Sequence, residues 1–493
     1  MRAGVLAGFI AAASAAGAAF AQDALVAAAR NGNHAAALAA LSERADPNQT
    51  EPDGTTPLHW AVHNGDAELV AKLIAAGANV NATNDYGASP MSEAAVAADV
   101  NVLKALLAAG ANVESANADG QTALMVVARG GNVAAAELLI AHGANVNARE
   151  QRKGQTALMW AVAQSKPAMV ALLLKHGADP EARSNVNHWE RVVTAEPRQK
   201  NLASGGFTPL LYAARQGCLE CAKSLVEAGA AVDRTDPDGV TPLLSALLNA
   251  HFDTAKYLLE KGANPNKWDW WGRTPLYLAV DYNTLPHGGR PDHLSLDATT
   301  STAMIDLLLA AGANPNAQLK LFPPYRSLRM DRGADTILDI GTTPLLRAAR
   351  GADLVAIERL VGKGALLDLP QQAGITPLMA AVGAGASPID TRGKFRTEPE
   401  ALATAEALLA AGAGIDVRDA NGRTALHYAA AAGYTDVAKL LVDRGADVNA
   451  KDVDGVTPAE AALGKLRGRG RGGATAHPKT AELLQGLMAA QTR

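Results

Sequence analysis

The chain has 493 residues, of which 48% are hydrophobic, 19% charged and only 4% aromatic, with 45 basic side chains against 49 acidic ones. That apolar content excludes disorder over most of the length, and the mildly acidic balance leaves no global footprint for nucleic acid. Alanine dominates the apolar fraction, and small side chains in that proportion suit closely packed helices better than a sheet with a thick core.

The first segment in chain order is set apart from the fold. Arg2 is followed by uncharged residues from Ala3 to Ala21, the first acidic residue is Asp23, and Ala19-Phe20-Ala21 has the A-x-A form of a cleavage site. Residues 1–21 are therefore expected to be a signal peptide, with a mature chain beginning near Gln22 that is exported to the periplasm or the extracellular medium. No later segment approaches about 18 uncharged apolar residues, so no membrane span is expected.

Beyond Asp53 a motif G-x-[TS]-[PA]-[LM] recurs, its Gly at 54, 87, 120, 154, 206, 239, 272, 341, 374 and 422, with a degenerate copy at Gly455. The gaps are 33, 33, 34, 52, 33, 33, 69, 33, 48 and 33 residues. A second motif, G-A-x-[VP]-[ND], trails each copy, as in Gly77-Ala78-Asn79-Val80-Asn81. Thr56 and its equivalents suit a helix N-cap, and Pro57 suits the first turn, where its missing N–H costs nothing. Leu58 and Ala61 open an apolar stripe at helical spacing. Asn64-Gly65, Gln216-Gly217 and Ala432-Gly433 end that short helix. A second helix follows, as in Glu68 to Ile74, and stops at Gly77 before an extended turn leads to the next repeat.

Helix, tight turn, helix and finger-like turn at this period resembles the ankyrin repeat; Thr56-Pro57-Leu58-His59 and Thr424-Ala425-Leu426-His427 are close to its signature. The resemblance covers residues 23 to 493. It implies an all-α solenoid of about twelve helix-turn-helix units, three of them enlarged by insertions. Residues 22–53 would form an N-terminal capping repeat, 54–454 the repeats proper and 455–493 a C-terminal cap. The resemblance also implies recognition of a protein partner through a concave groove and its finger tips, with no cofactor and no catalytic residues, by a monomer. In that setting His59 and His427 are hydrogen-bonded repeat residues rather than catalysts.

Three gaps exceed the period by 19, 36 and 15 residues. The excess falls near 183–205, 281–300, 317–340 and 383–400, and loops held by a rigid scaffold are where function concentrates. Between the first two lies Asn266-Lys267-Trp268-Asp269-Trp270-Trp271-Gly272, which holds three of the six Trp of the chain. These indoles are either exposed for a partner or covered by the finger from Ala317, which carries Leu319, Leu321, Phe322 and Tyr325. The flanking fingers add Trp189, Arg191, Arg326 and Arg329, so the candidate partner-binding residues are Trp268, Trp270, Trp271, Trp189, Arg191, Phe322, Tyr325, Arg326 and Arg329. Local pairing of these Arg with Glu190, Glu196, Asp331 and Asp335 is the alternative.

Cys218 and Cys221, the only cysteines, could close a disulfide in an oxidising compartment, act as a redox pair, or remain one buried and one exposed thiol. His287, Asp292 and His293 have metal-ligating side chains, but no helical spacing fixes them and no metal is expected. The Gly468 to Gly473 run matches GxGxxG literally and fails on context, since no strand precedes it. A small-ligand pocket built from the Trp cluster and the insertions is the alternative to protein binding.

Overall fold

A computed structural model of the chain describes residues 24–188, 205–284, 295–321, 337–385, 397–466 and 475–491. The leader, Trp189 and Arg191, the His287 cluster, Phe322 to Arg329 and the Gly468 run lie outside the described residues. The described residues form helix pairs and no strand, apart from one isolated bridge between Val186 and Gly205. Two compact units are distinguished, Met1–Asn187 with Gly205–Ala231, and His188–Ser204 with Val232–Arg493.

In the first unit a pair at 24–30 and His34–Ser42 is followed by Pro57–His63 with Ala67–Ala75 and Pro90–Ala97 with Val100–Ala108. Ala123–Gly130 with Val133–Ala141, Ala157–Ala163 with Pro167–Lys175 and Pro209–Gln216 with Leu219–Glu227 complete it. The second unit runs Pro242–Leu248 with Phe252–Glu260, Pro275–Thr284 with Ser301–Ala310, and Pro344–Gly351 with Leu354–Gly362. It continues with Pro377–Ala381 and Glu398–Ala410, Ala425–Ala432 and Thr435–Asp443, and Pro458–Ala462 and Pro478–Gln491. Within each unit first helices stack on first helices and second on second.

The motif residues perform the expected tasks. Thr56, Thr208, Thr241, Thr343 and Thr376 each accept the backbone N–H three residues on, with Pro at the first helical turn. Gly217 and Gly433 end their helices at φ 70° and 74°, a left-handed conformation that a side chain would strain. Leu58, Ala61, Leu69, Val70 and Leu73 are buried and show how one repeat supplies its share of the core.

Two boundaries differ from the sequence expectation. Asp281 to Thr284 continue the helix from Pro275, so that insertion starts later than 281. The insertion near 383–400 ends earlier, because Thr397 and Glu400 close a capping box and Glu398 to Glu400 form a first helical turn.

The trailing motif has a role that its spacing did not disclose. Its last residue accepts the backbone N–H of the next copy of the motif: Asn48 from Asn79, Asn81 from Asn112, Glu114 from Asn145, Asn147 from Asp179 and Glu181 from Ala231, at 2.6–2.8 Å. In the second unit Asp233, Asn266, Asn316, Asp368 and Asp416 do the same for Asn264, Asn314, Leu366, Gly414 and Asp447. The partners are 31 residues apart in plain repeats such as Asn48 and Asn79, but 50, 48, 50 and 46 apart where an insertion intervenes. Repeat register is thus carried past every insertion by one side-chain acceptor.

His59 and His427 tie each first helix to the following finger. The Nδ1 atom of His59 accepts the Thr56 N–H at 3.2 Å, so its Nε2–H donates to the Ala88 carbonyl at 3.1 Å. His427 repeats this with Thr424 and Val456. Burial pushes both imidazoles below their ordinary pKa of 6.5. Between the lowered folded value and 6.5 the unfolded chain binds more protons, so stability is lost as pH falls through that window. A double variant His59→Gln/His427→Gln keeps a capping-box acceptor without a titrating ring. The parent is expected to lose more melting temperature than this variant between pH about 7.5 and about 5.5. Equal losses would show that these rings do not titrate on unfolding.

Candidate functional site

The finger from Asn266 to Arg273 is built around a buried carboxylate. Asp269 is 1% exposed, and its Oδ1 accepts the N–H groups of Trp271 at 3.1 Å and Arg273 at 3.0 Å. Its Oδ2 receives the Arg273 guanidinium through Nε at 2.7 Å and Nη2 at 2.6 Å. The Asp269 carbonyl accepts the Gly272 N–H at 2.8 Å, which closes a tight turn. Gly272 is needed there: its φ is 82°, and a Cβ would lie 2.5 Å from the Lys320 nitrogen.

Both neighbouring fingers fix this turn. The Trp270 N–H donates to the Asp238 carbonyl at 2.8 Å, and the Trp271 carbonyl accepts the N–H of Lys320 at 2.8 Å and of Leu321 at 3.2 Å. The Asp269 side chain is turned inward, and Trp268 and Trp270 on either side of it face outward. They are 59% and 47% exposed. Trp271 differs: it is half-buried, with the Arg273 guanidinium 4.9 Å from its ring centroid. The finger from Ala317 buries Leu319 and meets the backbone of Trp271, and Trp268 and Trp270 stay exposed. The three indoles therefore divide into two surface groups and one structural group.

The position of Asp269 recurs. Asn84, Asn117, Asp236, Asp419 and Asp452 each accept the N–H groups two and four residues on. Asp269 meets its cation within the turn, through D-x-x-G-R, whereas the matching Arg423 reaches Asp452 of the following finger at 3.4 Å. Asp419-Ala420-Asn421-Gly422-Arg423 has the same D-x-x-G-R spacing, so the spacing alone does not disclose the Asp269–Arg273 pair. At Asp236, burial, and then the nearby Asp238 and Asp269, push the carboxyl up to about 6, against the backbone N–H groups of Val240 and Asp238.

Cys218 and Cys221 lie together with their sulfurs 2.02 Å apart, a bonded distance. Both are in the core, at 9% and 0% exposure, so the reading with one exposed thiol does not hold. Cys218 occupies a helix N-cap where sister repeats place Asp66, Asp99, Asn132 or Asp353, and its sulfur accepts the Cys221 N–H. Among the described residues no cluster of His, Cys, Asp or Glu is fit to hold a metal ion, and no helix is long and apolar enough to cross a membrane.

Stacked helix pairs bearing exposed aromatics on fixed finger turns define a repeat scaffold that presents side chains rather than enclosing them. The family model of ankyrin repeats (three copies) matches residues 25–117, 94–184, 210–318 and 398–468. That is more than half of the chain, and the chain belongs to the ankyrin-repeat family. It is 65% identical over 48 residues to mouse protein phosphatase 1 regulatory subunit 12A, which is 10% of this chain and 5% of that protein. It is 40% identical over 112 residues to human inversin, 22% of this chain and 9% of that one. The chain thus spans only a small part of the length of these curated relatives. The crystal structure of the human ASB11 ankyrin repeat domain aligns at a TM-score of 0.40 and 22% identity, covering 49% of this chain and 98% of that one.

Proposed function

We propose that the protein is an exported ankyrin-repeat scaffold, of a secreted bacterial type, that binds a protein partner through the finger bearing Trp268 and Trp270. The observation that carries this reading is a pair of exposed indoles on a turn held by a buried ion pair and by both adjacent fingers. Ordering the contact residues beforehand lowers the entropy lost on association, and Trp is favoured in hot spots for its large, rigid contact area. Trp189, Arg191, Phe322, Tyr325, Arg326 and Arg329 lie outside the described residues and are further candidates by sequence, and Trp271 supports the turn.

Binding is favoured over catalysis because ankyrin repeats serve as interaction scaffolds, and the described residues of the site offer aromatic area without converging acid, base or nucleophile. A pocket for a small ligand has less support. A cavity of about 320 Å³ in the first unit is lined by Ala29, Gly32, Ala61, Asn64, Asp66 and Leu69, none of them aromatic. Export is supported by the Ala-rich leader with its A-x-A site, and by a Cys218–Cys221 bond of the kind that persists in oxidising compartments. The destination is the periplasm or the extracellular medium, and an N-terminus at Gln22 in the exported protein would test this.

Capture of partners from envelope and secreted extracts tests the binding site. The variant Trp268→Ala/Trp270→Ala is expected to lose its partner by about 30-fold or more in affinity, while its unfolding free energy changes by under about 0.5 kcal/mol for each exposed position. Undiminished capture by this variant would remove the finger from the binding surface.

A further inference from the structure

The first unit carries cations of a second kind. Arg129 ends the first helix of its repeat, exposed, with its guanidinium 5.1 Å from the ring centroid of Trp160 on the next first helix. Arg215 occupies the matching position two repeats further on, also exposed, with its guanidinium 5.9 Å from the ring of Phe207. Phe207 packs edge to face with Tyr212 at 5.3 Å, and the Tyr212 hydroxyl accepts a hydrogen bond from Gln155 at 2.7 Å. The repeat between them has Ala163 in the row of Arg129 and Arg215, so a small residue separates two guanidiniums.

Among the described residues neither Arg129 nor Arg215 has a carboxylate partner, in contrast to Arg273, Arg347 and Arg359 of the second unit, which pair with Asp269, Asp281 and Asp306. Asp119 faces Arg152 at 3.6 Å, and Glu150 accepts the backbone N–H groups of Arg152, Lys153 and Gln155.

That use of Glu150 follows from a one-residue lengthening of its finger, from a 33-residue to a 34-residue gap. In the second repeat Trp60 donates its indole N–H to Glu51 at 2.8 Å. The matching Trp160 has no acceptor for its buried Nε1–H, because Glu150 is turned into its own wider loop. An acceptor present in one repeat is missing in the other, beside a guanidinium that also lacks one.

We propose that this row of first helices binds an extended acidic segment of a protein partner, one carboxylate on Arg129 and a second on Arg215. Neighbouring helices pack about 8–10 Å apart, so two repeats place the cations about 16–20 Å apart. An extended chain rises about 3.3 Å per residue, so acidic residues five or six positions apart span that distance. Trp160 and Tyr212 take the apolar side chains between them. The surface lies in the other unit from the Trp268 finger and stands on its own observations.

The probe is a fluorescein-labelled nonapeptide of Gly, Ser and Tyr carrying two Glu about six positions apart, followed by fluorescence anisotropy on the mature full chain. Controls are the same peptide with both Glu replaced by Gln, a peptide with the two Glu adjacent, and an oligonucleotide of equal charge. The spaced peptide is expected to bind, to weaken with added salt, and to lose about tenfold in affinity with Arg129→Ala and again with Arg215→Ala. Circular dichroism would confirm that both variants keep their helices, and Trp268→Ala/Trp270→Ala is expected to bind the peptide as the parent does. No binding to the parent, equal binding of the Gln peptide, or indifference to both Arg variants would overturn the proposal. So would preference for the adjacent-Glu peptide, tighter binding of the oligonucleotide, or loss of peptide binding in the Trp268/Trp270 variant.

Discussion

Replacing Asp269 by Ala should cost about 3–5 kcal/mol of unfolding free energy, the largest effect expected from any single finger residue. The substitution strips the Arg273 guanidinium of the Asp269 carboxylate in a position where that side chain is 10% exposed. It also removes the acceptor of the Trp271 and Arg273 N–H groups, so the loss exceeds that of a pair of surface charges. Asp269→Asn keeps one acceptor for the backbone and should cost less. A double-mutant cycle with Arg273→Ala in urea unfolding should give a coupling of about 2 kcal/mol or more, since the two side chains act as one unit. A cost of Asp269→Ala below about 1 kcal/mol would mean that the turn is held by its backbone alone. The orientation of Trp268 and Trp270 would then need another cause. With the full cost, partner capture should fall as well, although neither indole has been touched.

Asp236→Asn should act in the opposite direction and stabilise the protein by about 1–3 kcal/mol near neutral pH. Its carboxylate is 7% exposed and accepts the N–H groups of Asp238 and Val240. The carboxyl is pushed from 3.8 up to about 6, with burial as the main cause. A raised folded value means that the folded chain holds its proton between those limits while the unfolded chain has released it. The associated stability is complete below 3.8 and lost as pH rises through about 6. The Asn variant has no such slope, so its advantage should open across this window and vanish in acid. The chain contains its own precedent: Asn84 and Asn117 fill the same place in sister fingers with the same two acceptor bonds. Urea unfolding at several pH values would decide the matter, and an Asn variant less stable than the parent near neutral pH would show that the buried charge has a partner of its own.

The fold could be read from the sequence because the residues that cap, start and stop the short helices are chemically restrictive. Few side chains can replace Thr56, Pro57 or Gly217 in their tasks, and the spacing therefore survives as a pattern of letters. The finger acceptors were hidden for the opposite reason. Asn, Asp and Glu, at Asn84, Asp236 and Glu150 among others, all accept the same kind of N–H bonds, so a constant role carries no constant letter. The tryptophan finger stood out by composition, yet the separation of Trp271 from Trp268 and Trp270 depends on its contacts with Arg273 and with the following finger. The facing of Arg129 and Trp160 joins residues 31 positions apart, counted from 129 to 160, and no local motif announces it. The two ends of insertions were misplaced by a few residues because a helix ran on through Thr284 and a capping box began one at Thr397.

The chain of acceptors from Asn48 to Glu181, and again from Asp233 to Asp416, has a consequence for how such a protein can change. Each bond spans 31 or 32 residues in some repeats and 46 to 50 in others without a break in the series. Doubling a loop adds only about 0.6 kcal/mol of closure entropy, so the scaffold is nearly indifferent to what is inserted between two rungs. Register and insertion length are thus decoupled: the rungs hold the repeats in step, and the segments between them can be lengthened or exchanged at little entropic cost. A foreign recognition loop placed between Glu181 and Ala231 would test a lineage's route to new partners as directly as an engineer's.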